Sequence, residues 1–242
     1  LIEESARQRS ADESSGAVPI LPQRVMRELS VRLRPGDVVV SDASFSAGWI
    51  AAHVPARRAA RDFLFARGQG GLGYAVPAAI GAGAARPSDR IVTVSGDGGF
   101  SYALGELATH AQLGLRSVNL VLNNGSLAWL AMWQHLFFEG LRQSVDLENE
   151  RLRPSYAGVA EALGCVGLRV ERPGELGDAL DAALAADRPA VIDIRTDPSS
   201  TPIHSYRRRF AEMASYPRPG TVYELAPWRR SPTEPTDEPG GR

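Results

Sequence analysis

Ile91-Val92-Thr93-Val94-Ser95-Gly96-Asp97-Gly98-Gly99-Phe100 and, further along, Val118-Asn119-Leu120-Val121-Leu122-Asn123-Asn124-Gly125 decide the fold. Each stretch is a mainly apolar run closed by a polar turn. Gly96-Asp97-Gly98 closes the first and Asn123-Asn124 the second, with 24 residues between Gly98 and Asn123. Short apolar runs bounded by turn-forming residues read as strands buried on both faces. The residues between them carry Leu104, Leu107, Ala108 and Ala111 at helical spacing, so a helix is expected over Phe100 to Leu113.

The same alternation continues on either side. Gln23 to Leu33 has helical spacing, with Pro22 suited to a first helical position. Pro35-Gly36-Asp37 is a turn and Val38-Val39-Val40 a short buried strand. Gly70 to Ala85 reads as a small-residue helix, Tyr156 to Leu163 as a helix, and Cys165 to Val170 as a strand. Glu175 to Ala185 is a helix and Ala190 to Ile194 the last strand. Apolar strands alternating with helices imply an α/β fold, a doubly wound parallel sheet flanked by helices. Ligands of such sheets bind at the carboxyl ends of the strands, where both opening motifs lie. Residues 1–19 read as a linker, a frayed helix or N-terminal extension, 20–197 as the domain, and 198–242 as a C-terminal extension that is disordered toward its end.

Composition narrows the function classes. A chain of 242 residues can bury one sizeable core, and 43% hydrophobic residues is ordinary for a globular domain. The formal net charge of −1 gives no reason to expect nucleic acid or an anionic membrane as partner. Cys165 is the only cysteine, which excludes a disulfide framework. No apolar run approaches the roughly 18 residues that span a bilayer, and Leu1 to Ser15 lacks the apolar core of a signal peptide. A cytoplasmic protein is the expectation.

The residue types at the strand ends suit a magnesium-bound diphosphate. Mg²⁺ takes six oxygens in near-octahedral geometry and shares them with phosphate. Asp97 offers a carboxylate, Asn124 an amide oxygen, and Ser126 a backbone carbonyl. Gly96, Gly98 and Gly99 let the backbone come close to a phosphate, and the helix near Phe100 would turn its positive end there. The plainer alternative is a surface turn at each place. Among the four histidines, His110 reads as structural and His135 as a residue near the mouth of the site, while His53 and His204 fall in no metal-ligand spacing. Arg207-Arg208-Arg209 reads as a solvated face.

With these residues in view, the chain resembles the C-terminal, diphosphate-binding domain of acetolactate synthase-like thiamine-diphosphate (ThDP) enzymes, over roughly Pro22 to Asp197. The resemblance rests on Pro22-Gln23-Arg24-Val25, Gly71-Leu72-Gly73-Tyr74-Ala75-Val76-Pro77, the two opening motifs, Glu106-Leu107-Ala108-Thr109 and Arg188-Pro189-Ala190-Val191-Ile192-Asp193. It implies ThDP and Mg²⁺ as cofactors, with Asp97, Asn124 and Ser126 on the metal. It implies that the Gly70 carbonyl and the Leu72 N–H meet the aminopyrimidine. Leu72 would wedge between the two cofactor rings, although a leucine is also an ordinary core residue. Ser44 and Ser46 would grip the diphosphate from the other side; a plain serine-rich turn is the alternative. Acetolactate synthases usually carry Gly-Gln-His there, so Ser44-Phe45-Ser46 departs from that pattern and approaches benzoylformate decarboxylase-like relatives. Gly125 to Phe138 would cover the mouth, with Trp129 and Trp133 either shaping the acceptor pocket or serving as core or subunit contacts.

The family's activity implied here is decarboxylation of a 2-oxo acid followed by transfer of the acyl carbanion equivalent to an acceptor. Release of an aldehyde is the alternative, and a non-catalytic cofactor-binding or regulatory subunit is the alternative of another class. The family also uses a glutamate from a separate pyrimidine-binding domain, which acts across a subunit interface. No such domain fits in 242 residues. The expectation is a split enzyme, a hetero-oligomer built as a dimer of heterodimers with a pyrimidine-domain subunit, or else a fragment of a longer protein.

Overall fold

Six parallel strands form one sheet in the computed structural model, which describes residues 9–58, 60–138, 140 and 142–203. His204, Arg207-Arg208-Arg209 and most of the expected C-terminal extension lie outside the described residues. In chain order the elements are α1 (Pro22–Arg32), β1 (Val38–Ser41), α2 (Phe45–His53), β2 (Phe63–Phe65), α3 (Ala75–Ala85), β3 (Ile91–Gly96), α4 (Asp97–Ser101), α5 (Glu106–Gln112), β4 (Ser117–Asn123), α6 (Ala128–Phe137), α7 (Tyr156–Ala162), β5 (Val166–Val170), α8 (Leu176–Ala185) and β6 (Ala190–Arg195). The spatial order is β2-β1-β3-β4-β6-β5, every pairing parallel. The chain moves from β1 to β2 on one side, then returns past β1 to β3 on the other. A crevice opens at such a switch point, outside the carboxyl ends of β1 and β3.

Alternate strand residues feed two cores, because strand side chains point to opposite faces in turn. Val39, Val92, Val94, Leu120, Ile192 and Ile194 pack with α1, α2, α6 and α8. Val38, Val40, Val121 and Val191 pack on the other face, against α3, Phe100 of α4, α5 and α7. This is the doubly wound sheet expected. Within the second layer, Thr93, Asn119, Ser117 and His110 form a buried hydrogen-bonded chain: Thr93 Oγ1 donates to Asn119 Oδ1 at 2.8 Å, and His110 Nδ1 meets Ser117 Oγ at 2.7 Å. His110 Nε2 also meets the Val76 carbonyl at 2.9 Å, which ties α5 to α3 and makes the residue structural.

Two expectations differ from the structure. The helix expected over Gly70 to Ala85 begins only at Ala75, because Gly70 and Gly73 have φ of +68° and +81° and so cannot continue a right-handed helix. The helix expected over Phe100 to Leu113 is two helices, α4 and α5, joined by a turn over residues 102–105 in which Tyr102 and Ala103 donate to carbonyls three residues back. Helix α2 and edge strand β2 were not anticipated. Residues 9–13, within the stretch expected as a linker or frayed helix, are helical, and Glu13 Oε1 lies 2.8 Å from His53 Nδ1.

Candidate functional site

The crevice at the β1/β3 switch point is lined by Ala43, Ser44, Phe45, Ser46 and Trp49 from the β1 side. Gly96, Asp97, Gly98 and Gly99 line it from β3, and Asn124, Ser126 and Trp129 from beyond β4. Leu72 closes it from the loop before α3. The fold therefore brings together Ser44, Ser46, Leu72, Gly96, Asp97, Gly98, Gly99, Asn124, Ser126 and Trp129. It leaves Gly70 and Trp133 out of the lining. Trp133 stacks on Phe137 at 4.6 Å on the outer side of α6, and His135 of the same helix is also outside the lining.

Asp97 is the first residue of α4 and is 2% exposed. Its Oδ1 accepts from the Gly98 N–H at 2.9 Å and its Oδ2 from the Gly125 N–H at 2.6 Å. The second bond is the direct link between the two sequence motifs. Burial nevertheless pushes the carboxyl up to about 7; the backbone N–H groups and Arg195 oppose the rise without cancelling it. A cation beside Asp97 would favour its ionised form.

Asn124 and Ser126 sit in an Asx turn, with the Ser126 N–H donating to Asn124 Oδ1 at 3.0 Å. The Ser126 carbonyl accepts from the Ala128 N–H at 2.8 Å. Each oxygen keeps a second lone pair for a cation. The turn is held from behind. Ser126 Oγ donates to the Val145 carbonyl at 3.0 Å, and Arg142, paired with Asp146, donates to Ser126 Oγ at 3.2 Å. Gly125 has φ of +71°, and a side chain there would overlap Glu148. Glu148 in turn is fixed by Arg195, whose Nη1 lies 2.7 Å from Glu148 Oε2.

The residues fit a metal-bound diphosphate. Gly96 faces the crevice, and a Cβ there would meet nothing within 4 Å, so it leaves room that a side chain would occupy. Among the described residues no group of three His, Cys, Asp or Glu side chains could hold a metal. One buried carboxylate, one amide oxygen and one carbonyl make a cation site only when further oxygens come from a ligand. The helix expected to aim its dipole here is the five-residue α4, so the separate N–H groups of Gly98 and Gly99 matter more than any helix dipole.

On the opposite wall Ser44 takes φ 72° and ψ −146°, a conformation costly for a residue with a side chain. It is the N-cap of α2 and its hydroxyl caps nothing. Ser46 Oγ donates to the Ala43 carbonyl at 3.3 Å. Phe45 and Trp129 approach to 5.2 Å between ring centres and narrow the crevice. Sequence reasoning missed Asp42. It is fully buried at the end of β1, and its carboxylate accepts from Ala43 N–H at 2.6 Å and from Gly73 N–H at 3.1 Å. It thereby ties the Leu72 loop to the strand end, and a Cβ on Gly99 would come within 3.1 Å of it. Only its place directly after a β strand hinted at this.

A family model described as the thiamine pyrophosphate enzyme, C-terminal TPP binding domain, matches residues 42–194. An acetolactate synthase of Mycobacterium avium is 37% identical over 173 residues, which is 71% of this chain and 28% of that protein. The acetolactate synthase large subunit of Corynebacterium glutamicum is 35% identical over 187 residues, 76% of this chain and 30% of its own length. Among solved structures, a thiamine diphosphate-dependent 4-hydroxybenzoylformate decarboxylase of Rhodococcus jostii RHA1 superposes with a TM-score of 0.68 at 26% identity, covering 76% of this chain and 34% of that one. The chain spans about a third of the length of the curated relatives it matches. The match over residues 42–194, laid on a crevice built from Asp97 and Asn124, places this chain in the thiamine pyrophosphate enzyme family as its C-terminal, TPP-binding domain.

Proposed function

We propose that this chain supplies the diphosphate- and Mg²⁺-binding half of a ThDP-dependent enzyme that decarboxylates a 2-oxo acid and passes the acyl carbanion equivalent to an acceptor. The observation that carries the reading is the hydrogen bond from Gly125 N–H to the buried Asp97 carboxylate, which sets Asn124 beside Asp97 at the switch-point crevice. In this reading Asp97, Asn124 and the Ser126 carbonyl hold Mg²⁺, and Gly96, Gly98 and Gly99 take the diphosphate. Ser44 and Ser46 face it from the β1 side. Leu72 fixes the ring conformation, with the Gly70 carbonyl at the aminopyrimidine, and Trp129 shapes the substrate space, Trp133 taking part only once α6 is covered. The bound cofactor supplies the electron sink that makes loss of CO₂ feasible. The chain's own residues bind it, orient it and exclude water. A glutamate on a pyrimidine-binding domain of another polypeptide completes the site.

Simple decarboxylation to an aldehyde is the second reading. Two observations favour it: Phe45 against Trp129 narrows the space for an acceptor, and one superposing structure is a decarboxylase. The test reconstitutes the chain with a pyrimidine-domain polypeptide, Mg²⁺ and ThDP, supplies pyruvate or an aromatic 2-oxo acid with candidate acceptors, and identifies the products. A 2-hydroxy ketone supports the first reading and an aldehyde alone the second. Failure of calorimetry to detect Mg²⁺-dependent ThDP binding would remove both.

A further inference from the structure

At the amino edge of the sheet, opposite the crevice, lies a hollow of ≈ 850 Å³. That is in the range of small-molecule sites, on the order of 300–1,000 Å³. Its floor is apolar: Leu33, Leu115, Val118 and Leu184. Gly83 on α3 makes room for that floor, since a Cβ there would approach Leu115 Cδ2 to 2.7 Å. The rim is cationic, with five arginines, Arg32, Arg34, Arg86, Arg90 and Arg116, against two carboxylates, Asp89 and Asp181.

Most of this charge has a structural explanation. The C-terminal ends of α1, α3, α5 and α8 meet here, and helix C-termini favour cations. Arg32 bonds Asp181 at 2.8 Å and Glu28 at 2.6 Å. Arg86 bonds Asp62 at 3.0 Å, Asp89 at 2.5 Å and the Gly36 carbonyl at 2.7 Å. Arg90 bonds Asp37 and the Arg32 carbonyl. Asp89 and Asp181 are therefore each held by an arginine and offer no free negative charge. Arg34 and Arg116 are different. Both are exposed, and neither guanidinium makes a hydrogen bond or ion pair within the described residues.

We propose that this hollow binds a small anion of the nucleoside-phosphate class, the flat face of its base on the Leu33–Leu115–Leu184 floor and its phosphates on Arg34 and Arg116. Guanidinium groups match phosphate oxygens in pairs, and the apolar floor distinguishes such a ligand from a bare inorganic anion. The inference does not rest on the cofactor reading, because the hollow and the crevice lie at opposite ends of the strands.

The test titrates the full chain into a fluorescent N-methylanthraniloyl ADP in the presence of EDTA, following anisotropy. Saturable binding is expected, reversed by excess unlabelled ADP. The Arg34→Ser/Arg116→Ser variant is expected to bind roughly fivefold more weakly or worse. Because both side chains are exposed, the variant should match the parent in thermal unfolding; if it does not, Arg116→Glu alone serves in its place, with the same loss expected. Absence of saturable binding, failure of unlabelled ADP to displace the probe, or a smaller loss in the folded variant overturns the proposal.

Discussion

Asp97 is a carboxylate placed where the isolated fold does not favour its charge. Burial raises it to about 7, whereas an unfolded aspartate titrates near ~4. Between those values the folded, metal-free chain holds a proton that the unfolded chain has lost. The stabilising contribution is therefore complete below pH ~4 and disappears as pH rises through about 7. At about 1.4 kcal/mol per pH unit the difference is on the order of 4 kcal/mol. Asp97→Asn removes the titrating group but turns an amide NH₂ toward one of the two backbone N–H groups, of Gly98 or Gly125, that the carboxylate accepts from. In EDTA, thermal unfolding of the variant should therefore depend less on pH between 5 and 8, while Mg²⁺-dependent ThDP binding is lost in calorimetry. An unchanged pH dependence would contradict the account. At this scale Asp97 and Asn124 were legible because their residue types and spacing are unusual together. Asp42 was not. An aspartate after an apolar strand is common, and its task appears only once the Gly73 loop, 31 residues later, reaches back to it.

Elements with a clean period were legible, and elements shaped by their neighbours were not. Helix α1 keeps Val25, Met26 and Leu29 on one side, and it lies within a residue of its expected span. Helix α2 buries Phe45, Ala47, Trp49, Ile50 and His53 on most of its circumference, so it shows no polar stripe to mark it. Strand β2 has three residues and pairs only with β1, too short for a pattern. The break between α4 and α5 follows from the site: α4 must start at Asp97, and the chain then turns before Gly105, the N-cap of α5, lets a new helix begin. Close element packing makes its own prediction at Gly167 of β5. A Cβ there would overlap the Ala157 carbonyl oxygen of α7 and come within 2.8 Å of Glu161 Cγ. Backbone cannot yield as a flexible side chain can, so Gly167→Ala should cost about 1–3 kcal/mol. A lowered urea midpoint would report this, with unchanged ThDP affinity in the folded protein, since β5 lies at the far edge of the sheet from the crevice. An unchanged midpoint would mean that α7 can shift.

The whole molecule exposes the surface that its chemistry would need covered. Helix α6, on the lip of the crevice, shows Leu130, Trp133 and Phe137 about half exposed, and Phe138 follows at 61%. Across the mouth, Leu72 is 41% and Tyr102 75% exposed. Single exposed apolar residues are normal, but two groups flanking one ligand crevice mark an interaction surface. No helix among the described residues is long and apolar enough to cross a membrane, so a bilayer-spanning helix does not account for them. The chain also spans about a third of its curated relatives, and the described residues place no glutamate in the crevice lining. These facts lead to one expectation. The purified chain binds Mg²⁺ and ThDP but leaves 2-oxo acids unchanged. Adding a pyrimidine-binding-domain polypeptide starts turnover and shifts tryptophan emission to the blue as Trp133 leaves water. Phe137→Glu keeps cofactor binding and blocks both effects, because burying an unpaired carboxylate in an apolar contact costs several kcal/mol. Turnover by the chain alone, at a rate that added partner does not raise, would mean that the crevice is already complete and that the exposed aromatics serve another contact.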